Sequence, residues 1–399
     1  MPTDRLYYLD SYLVEFDATV RHVEHVDGKP IVVLDRTAFY PTSGGQPFDV
    51  GGLGAARVLD VVDRDDGTIG HVLDRDLVEG SPAHGAIDWT RRFDHMQQHT
   101  GQHLLSAACD RLFGARTVGF HLGADSSTID LNHDITAGQI AQAEADANRI
   151  VWENHPVEIQ FVDAAEAASM GLRKESARTG PLRLIEIADY DRSACGGTHV
   201  ARTGAVGIVA VQSWERFKGG TRVAFACGGR ALQAFGVLRG AVSESIRRLS
   251  VLPRDLPAAI ERVQAEIRDL RKIVRASEER LAVYQAGELA ARAVALGAAR
   301  LVAEVVQADA SGLKNLAMAI VARPAYVVVL VSSPSSSGPL VVVGRSKDLA
   351  LDVRDVLRGL TGRFGGKGGG TAELAQAGGF NATPEEILGL AREIISAAG

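Results

Sequence analysis

Two histidines and a distant cysteine–histidine pair constrain this chain more than any other feature. His99 and His103 stand four apart in His99-Thr-Gly-Gln-His103, a spacing that puts two side chains on one face of a helix. Cys195 and His199 repeat the spacing in Cys195-Gly-Gly-Thr-His199. There Gly196 and Gly197 point to a tight loop whose backbone can approach a neighbour closely. The separation is 195 − 103 = 92 residues, so only a tertiary fold can unite the two halves. United, they offer a thiolate and three imidazoles, a donor set suited to Zn2+. The zincin pattern requires Glu after its first His, and Thr100 stands there, so metalloprotease chemistry lacks its base. The alternative reading of the same residues is a helix with two solvated histidines and a Gly turn holding a buried cysteine.

Composition sets the frame for that site. A chain of 399 residues, 46% hydrophobic and 23% charged, fits a soluble protein of two to four domains. Three cysteines, Cys109, Cys195 and Cys227, do not suggest a disulfide framework and point to a reducing cytoplasm. The N-terminus has no apolar signal region, and no run of about 18 apolar residues occurs. A net charge of 43 − 49 = −6 excludes broad nucleic-acid coating, so an RNA partner needs local cations. The candidates are Arg91/Arg92, Arg173/Lys174/Arg178, Arg216/Lys218/Arg222 and Arg363/Lys367; the alternative for each is a solvated face.

The expected fold class is α+β multidomain. Residues 1–88 carry short runs at Leu6–Phe16, Ile31–Leu34, Ala56–Val62, His71–Leu73 and Ala86–Trp89, punctuated by turn clusters, the pattern of a small N-terminal β-barrel. The loop Tyr40-Pro-Thr-Ser-Gly-Gly-Gln46 is either a plain turn or the place where Thr42, Ser43 and Gln46 enter a substrate pocket. Residues 89–237 read as an α+β, zinc-containing domain. In it Asp94 caps a helix to about Phe113, with Leu104, Leu105 and Leu112 inward and His95 extending the histidine stripe. A second helix spans Thr136–Asn154, and Leu182–Asp189 is a strand leading into Cys195. Cys227 reads as a small core residue. Residues 238–298 form a helical linker interrupted by Pro253 and Pro257. Its stripe of Leu256, Ile260, Val263, Ile267, Leu270 and Val274 is a heptad pattern, fitting a coiled-coil hairpin, a seam between two chains, or a bundle core. Residues 299–399 read as an α/β domain whose last helix opens on the capping box Thr383-Pro-Glu-Glu386. Its Gly-rich stretch, 362–379, does not match a phosphate loop, because Gly368 follows Lys367.

Arg92-Phe-Asp-His-Met-Gln-Gln-His-Thr-Gly-Gln-His-Leu-Leu-Ser106 and Ser193-Ala-Cys-Gly-Gly-Thr-His-Val200 resemble the editing domain of alanyl-tRNA synthetases and its freestanding relatives, the AlaX-type editing proteins. Threonyl-tRNA synthetase editing domains are similar around the same four ligands. The resemblance continues through Phe39-Tyr-Pro-Thr-Ser-Gly-Gly-Gln46 and Val118-Gly-Phe-His-Leu122. It ends in a Gly-rich, DHHA1-like C-terminal domain that in the family contacts tRNA and mediates dimerisation, so it covers nearly the whole chain.

The resemblance implies His99, His103, Cys195 and His199 as ligands of Zn2+. It implies a trans-editing hydrolase that removes serine from Ser-tRNA(Ala), with Gly-tRNA(Ala) as a second candidate, and spares Ala-tRNA(Ala). His121 and Gln102 are the nearest candidates for a general base, and Thr42 and Gln46 join them in the catalytic set. Thr198, Gly196, Gly197, Arg222, Arg363, Lys367 and Gln376 are the substrate and tRNA candidates, with Thr42 or Thr198 placed to read a serine hydroxyl. In the synthetase editing domain a Thr precedes the second ligand His; Gln102 occupies that place here, closer to the freestanding proteins. The implied partners are mischarged tRNA(Ala) and a second copy of the chain through the coiled coil and C-terminal domain. No aminoacylation domain precedes the barrel, so neither ATP use nor charging is expected. Four protein ligands normally mark a closed structural zinc, whereas hydrolytic zinc keeps an open position. Two alternatives therefore stand beside the editing reading: a noncatalytic tRNA-binding protein with structural zinc, and a zinc hydrolase of a non-tRNA ester.

Overall fold

Apolar side chains alternate with polar ones along Glu15–Val26, and Phe16, Ala18 and Val20 face inward. This is the first strand of the molecule's barrel. The computed structural model describes residues 1–173, 180–332 and 338–398; Lys174 and Arg178 lie outside the described residues. The chain divides into two units, Met1–Ser245 and Ile246–Gly399, and its class is mixed α/β and multidomain.

In the first unit six strands close a barrel in the order Glu15–Val26, Lys29–Leu34, Ile69–Leu73, Ala56–Asp63, Gly51–Leu53, Pro82–Ile87. Val20, Leu34, Phe39, Leu53, Ile69 and Leu73 fill it. The apolar run at Leu6–Phe16 is not a strand. Leu6–Tyr8 makes one 3-10 turn, and the strand starts at Glu15 and runs on through charged residues to Val26. Alternation of buried and exposed positions, not the density of apolar residues, sets its limits.

Beyond the barrel, helix Trp89–Phe113 crosses a four-stranded sheet ordered Val209–Phe217, Gly220–Cys227, Ser127–Leu131, Thr117–Leu122. A three-stranded sheet, Val157–Val162, Leu182–Ile187 and Asp191–Ala194, adds a hairpin whose return strand ends at the Cys195 loop. The helix does not begin at Asp94. Asp88 caps it by accepting from the Arg91 N–H, and Asp94 lies in its second turn, 2.6 Å from Arg230. Leu104 and Leu105 are buried as expected, but Leu112 is exposed on the last turn. Helix Ala137–Glu153 is closed by a full capping box of Thr136 and Gln139.

The second unit is a layered α/β unit. Its sheet runs Val294–Leu296, Ala299–Val306, Tyr326–Ser332, Leu340–Arg345, Leu374–Gly378, Lys367–Gly370. Tyr326–Ser332 is buried throughout, as a strand covered on both faces must be. Helix Ala310–Val321 and the end of helix Leu256–Ala291 pack on one face. Helices Val353–Phe364 and Pro384–Ala398 pack on the other. Thr383 and Glu386 cap the last helix reciprocally. Pro257 does not interrupt helix Leu256–Ala291 but stands in its first turn, where no N–H is needed. Ile260, Val263, Ile267, Leu270 and Val274 along that helix are all exposed. Among the described residues, no helix is long and apolar enough to cross a membrane.

Candidate metal centre

The histidine helix is held against the barrel by a buried cation. Arg92 is fully buried; its Nη2 donates to Asp49 (2.5 Å) and to Ala38 O, and its Nη1 donates to Ser11 O. Arg91 Nε donates to Phe48 O. The Arg91/Arg92 pair is therefore a fold-building element and not a phosphate patch. Within the same helix Gly101 is forced: a Cβ there would stand 2.2 Å from Cys227 Sγ. Cys227 is a core residue, as expected.

Against this helix lies the Cys195 loop. The ligand atoms of His99, His103, Cys195 and His199 all fall within 4.8 Å of one another. Cys195 Sγ is 3.3 Å from His99 Nε2 and 3.4 Å from His199 Nε2. Tetrahedral Zn–N and Zn–S bonds of about 2.0–2.3 Å put donors about 3.3–3.8 Å apart, the range in which both Cys195 separations fall. Gly197 makes the approach possible, because a Cβ on it would sit 2.1 Å from His99 Cε1.

Each imidazole is aimed by its other nitrogen. His99 Nδ1 donates to Gln46 Oε1 (2.8 Å), His103 Nδ1 to Asp191 (2.7 Å), and His199 Nδ1 to Thr100 Oγ1 (3.1 Å). All three thereby present Nε2 to the centre, the outer-shell arrangement that fixes tautomer and orientation at metal sites. Gln46 serves twice more: its Nε2 donates to Thr198 Oγ1, and its Oε1 accepts from the Thr198 N–H. Asp191 is in turn bound by Arg173 at 2.6 Å.

Electrostatics follow from this packing. Burial alone would raise the Cys195 thiol, but His99 and His199, with hydrogen bonds from His103 and His199, hold it well below its ordinary value. Burial pushes His199 down to about 3. Burial also opposes charge on His103, yet the bond to Asp191 outweighs it and lifts the imidazole to about 9. The site thus favours a thiolate, the form that ligates a metal.

A cavity of about 500 Å3 opens beside these donors. His99, His103, Cys195, Gly196 and Gly197 form one wall; Tyr8, Tyr40, Ser43, Gln102, Phe120 and Arg183 contribute to the rest. Gln102 Nε2 donates to Ser106 Oγ. Gln46 and Thr198 sit behind the wall, supporting His99. Thr42 is exposed and its hydroxyl accepts from the Phe48 N–H. His121 lies exposed on strand Thr117–Leu122 and is not brought to the cavity wall. Arg222 pairs with Asp130 at 2.7 Å and stacks 3.5 Å over Phe217, while Arg216 pairs with Asp134. Two of the three cations of that expected basic patch are thus matched by carboxylates, and Lys218 lies 5.1 Å from the Phe217 ring. Arg363, Lys367 and Gln376 are exposed in the second unit, the last two on paired strands of a hairpin. Sequence reasoning missed Arg183 and Asp191. Asp191 had a readable signal, since it lies four residues before Cys195 in the strand that delivers it.

Residues 182–223 match the family model described as the threonyl and alanyl tRNA synthetase second additional domain. Across 98% of both chains, the sequence is 31% identical to the alanyl-tRNA editing protein AlaX-L of Pyrococcus horikoshii. It is 33% identical to the alanine–tRNA ligase of Pyrococcus abyssi over 94% of this chain, and 35% identical to that of Halorubrum lacusprofundi over 95%. The chain spans 42% of the length of each of those ligases. Among solved structures, the C-Ala domain of Aquifex aeolicus alanyl-tRNA synthetase is 29% identical over 26% of this chain and 97% of its own, with a TM-score of 0.25.

Proposed function

This chain belongs to the family of alanyl-tRNA editing proteins, and from that membership we propose that it is a trans-editing hydrolase. It cleaves the ester of Ser-tRNA(Ala), with Gly-tRNA(Ala) as a second substrate, and spares Ala-tRNA(Ala). The observation that carries the reading is the Cys195/His99/His103/His199 set opening on a cavity of about 500 Å3, large enough for an aminoacylated nucleotide end. The proposed domains are the barrel (1–88), the editing domain (89–237), a helical linker (238–298) and a C-terminal tRNA-binding domain (299–399). Arg363, Lys367 and Gln376 of the last are the proposed tRNA contacts, together with Arg222 of the second, which must exchange Asp130 for a phosphate to serve as one, and the setting is the cytoplasm.

When bound, Zn2+ supplies Lewis acidity next to the ester carbonyl. The protein's own residues do the orienting. Gln46, Thr100 and Asp191 fix the three imidazoles, and Gly196 and Gly197 let the substrate backbone and His99 come close. Gln102 commits its amide N–H to Ser106, which leaves Oε1 as the acceptor for a serine hydroxyl at the cavity wall. Alanine brings only a methyl there, and a site built to bind a hydroxyl rejects an analogue lacking one by up to about 10^4–10^5; glycine lacks the hydroxyl too, so this contact selects Ser-tRNA(Ala) and gives Gly-tRNA(Ala) no advantage over Ala-tRNA(Ala). Gln102 replaces Thr42 and Thr198 as the proposed serine reader, because neither threonine reaches the wall. With His121 away from the cavity, the ribose hydroxyl vicinal to the ester is the proposed proton relay, taking a proton from the attacking water as it passes its own to the departing ribose oxygen.

The exposed heptad stripe on helix Leu256–Ala291 supports pairing with a second copy of the chain. The deciding experiment is time-resolved deacylation of Ser-tRNA(Ala) beside Ala-tRNA(Ala). The expected result is rapid loss of serine only, abolished in Cys195→Ala/His199→Ala together with bound zinc. Persistence of Ser-tRNA(Ala) while tRNA still binds would sink the hydrolase reading in favour of a binding protein with structural zinc.

A further inference from the structure

Arg183 is a buried cation that no carboxylate matches among the described residues. It is 8% exposed and lines the metal-side cavity. Among those residues, every hydrogen bond it makes goes to a neutral carbonyl: Nε donates to Tyr8 O (2.9 Å), Nη1 to Cys195 O (2.7 Å) and to Gly197 O (3.0 Å). Its Nη2 is buried without a partner there, and the guanidinium lies 5.5 Å from the Tyr8 ring. Three other buried or half-buried arginines around the site behave differently. Arg92 holds Asp49, Arg173 holds Asp191 and Arg230 holds Asp94. A buried guanidinium normally requires such a partner, since desolvating an unpaired charge is costly.

An ion held by the four ligands would add positive charge beside Arg183, whose carbonyl partners supply no anion to match it. Such a pair of cations is matched by an anionic ligand. The proposed substrate carries one at a fixed distance from its ester: the 5′-phosphodiester of the terminal nucleoside, one sugar away from the acylated hydroxyl.

We propose that Arg183 is the phosphate-reading residue of this cavity, binding the phosphodiester of the terminal nucleotide while its Nη1 bonds hold the Cys195–Gly197 loop against the metal. This rests on the editing function above and adds to it a subsite that recognises the substrate's backbone charge and not its amino acid. Arg fits the role better than Lys because its planar fork bonds three backbone carbonyls through Nε and Nη1 and still has Nη2 for a phosphate oxygen.

The test is equilibrium binding of adenosine and of adenosine 5′-monophosphate to the full-length, zinc-loaded chain by calorimetry. Metal content is measured for each variant. The wild type is expected to bind the monophosphate about 10- to 100-fold more tightly than adenosine, the range for one charge-assisted contact. Arg183→Gln is expected to bring that ratio close to one, and Arg183→Lys to leave an intermediate ratio. The preference is read as a ratio within each zinc-replete variant, so a general loosening of the loop moves both affinities and leaves it unchanged. Equal binding of the two ligands by the wild type, no binding of the monophosphate, or a full phosphate preference surviving in Arg183→Gln overturns the proposal. None of these outcomes touches the hydrolase reading, which is decided separately by loss of serine from Ser-tRNA(Ala).

Discussion

Asp191 shows how much of this site rests on residues that hold no metal themselves. It receives Nδ1–H of His103 and is itself held by Arg173 and Ser193. Replacing it by Asn keeps the shape but removes the charge that orients His103. Zinc affinity is expected to fall about 10- to 100-fold, the usual cost of an outer-shell partner, measurable by competition with a chromogenic chelator. Gln102→Leu is expected to lower kcat/KM for Ser-tRNA(Ala) by about 2- to 10-fold, the loss of a neutral hydrogen bond worth about 0.5–1.5 kcal/mol, with zinc content intact. The ligands are legible in the sequence because His99/His103 and Cys195/His199 each sit within five consecutive residues. Gln46 is legible only as a pocket candidate. Its contacts with His99 and Thr198 span 53 and 152 residues, and no local pattern encodes such distances.

At the scale of elements, the same division between local and distant causes recurs. Asp94 reads as the start of helix Trp89–Phe113 because it precedes the apolar stripe. Asp88 wins because it follows the last barrel strand and finds the free Arg91 N–H, which frees Asp94 to pair with Arg230. Arg92 reads as surface charge, yet it is the tie between helix and barrel. Arg92→Met leaves the buried Asp49 carboxylate without its cation, held among the described residues only by the Tyr40 N–H, and should destabilise the first unit by about 3–5 kcal/mol, read as a shift in the urea midpoint. The barrel has its own pH sensor in His71, fully buried between Thr37 and Val32 O. Burial lowers it from 6.5 to about 4. The unfolded chain therefore binds a proton below pH 6.5 that the folded barrel refuses. Stability from this group is complete above that value, falls as the pH drops, and levels off near pH 4, a span of about 3 kcal/mol. His71→Gln should flatten that part of the stability–pH curve by a comparable amount relative to wild type.

On the scale of the whole molecule, two units with separate cores imply separate unfolding events. Calorimetry is expected to resolve two transitions, and chelation of zinc to lower only the one belonging to Met1–Ser245, by linkage; a single transition shifted as a whole would contradict this. The barrel, the capped helices and the final α/β unit are legible because turn residues and period-two or heptad patterns are local. The cavity is not, because its walls come from the N-terminal turn, the 40–46 loop, the histidine helix and two sheets. That scattered origin also sets a schedule for the growing chain. His103 precedes His199 by 199 − 103 = 96 residues, and synthesis at about 5–20 residues per second takes roughly 5–20 s to cross that interval. During those seconds the barrel and the first two imidazoles are already outside the ribosome with an incomplete coordination set. An ion held by all four donors would therefore arrive late, and its capture would close a long loop in the nascent first unit.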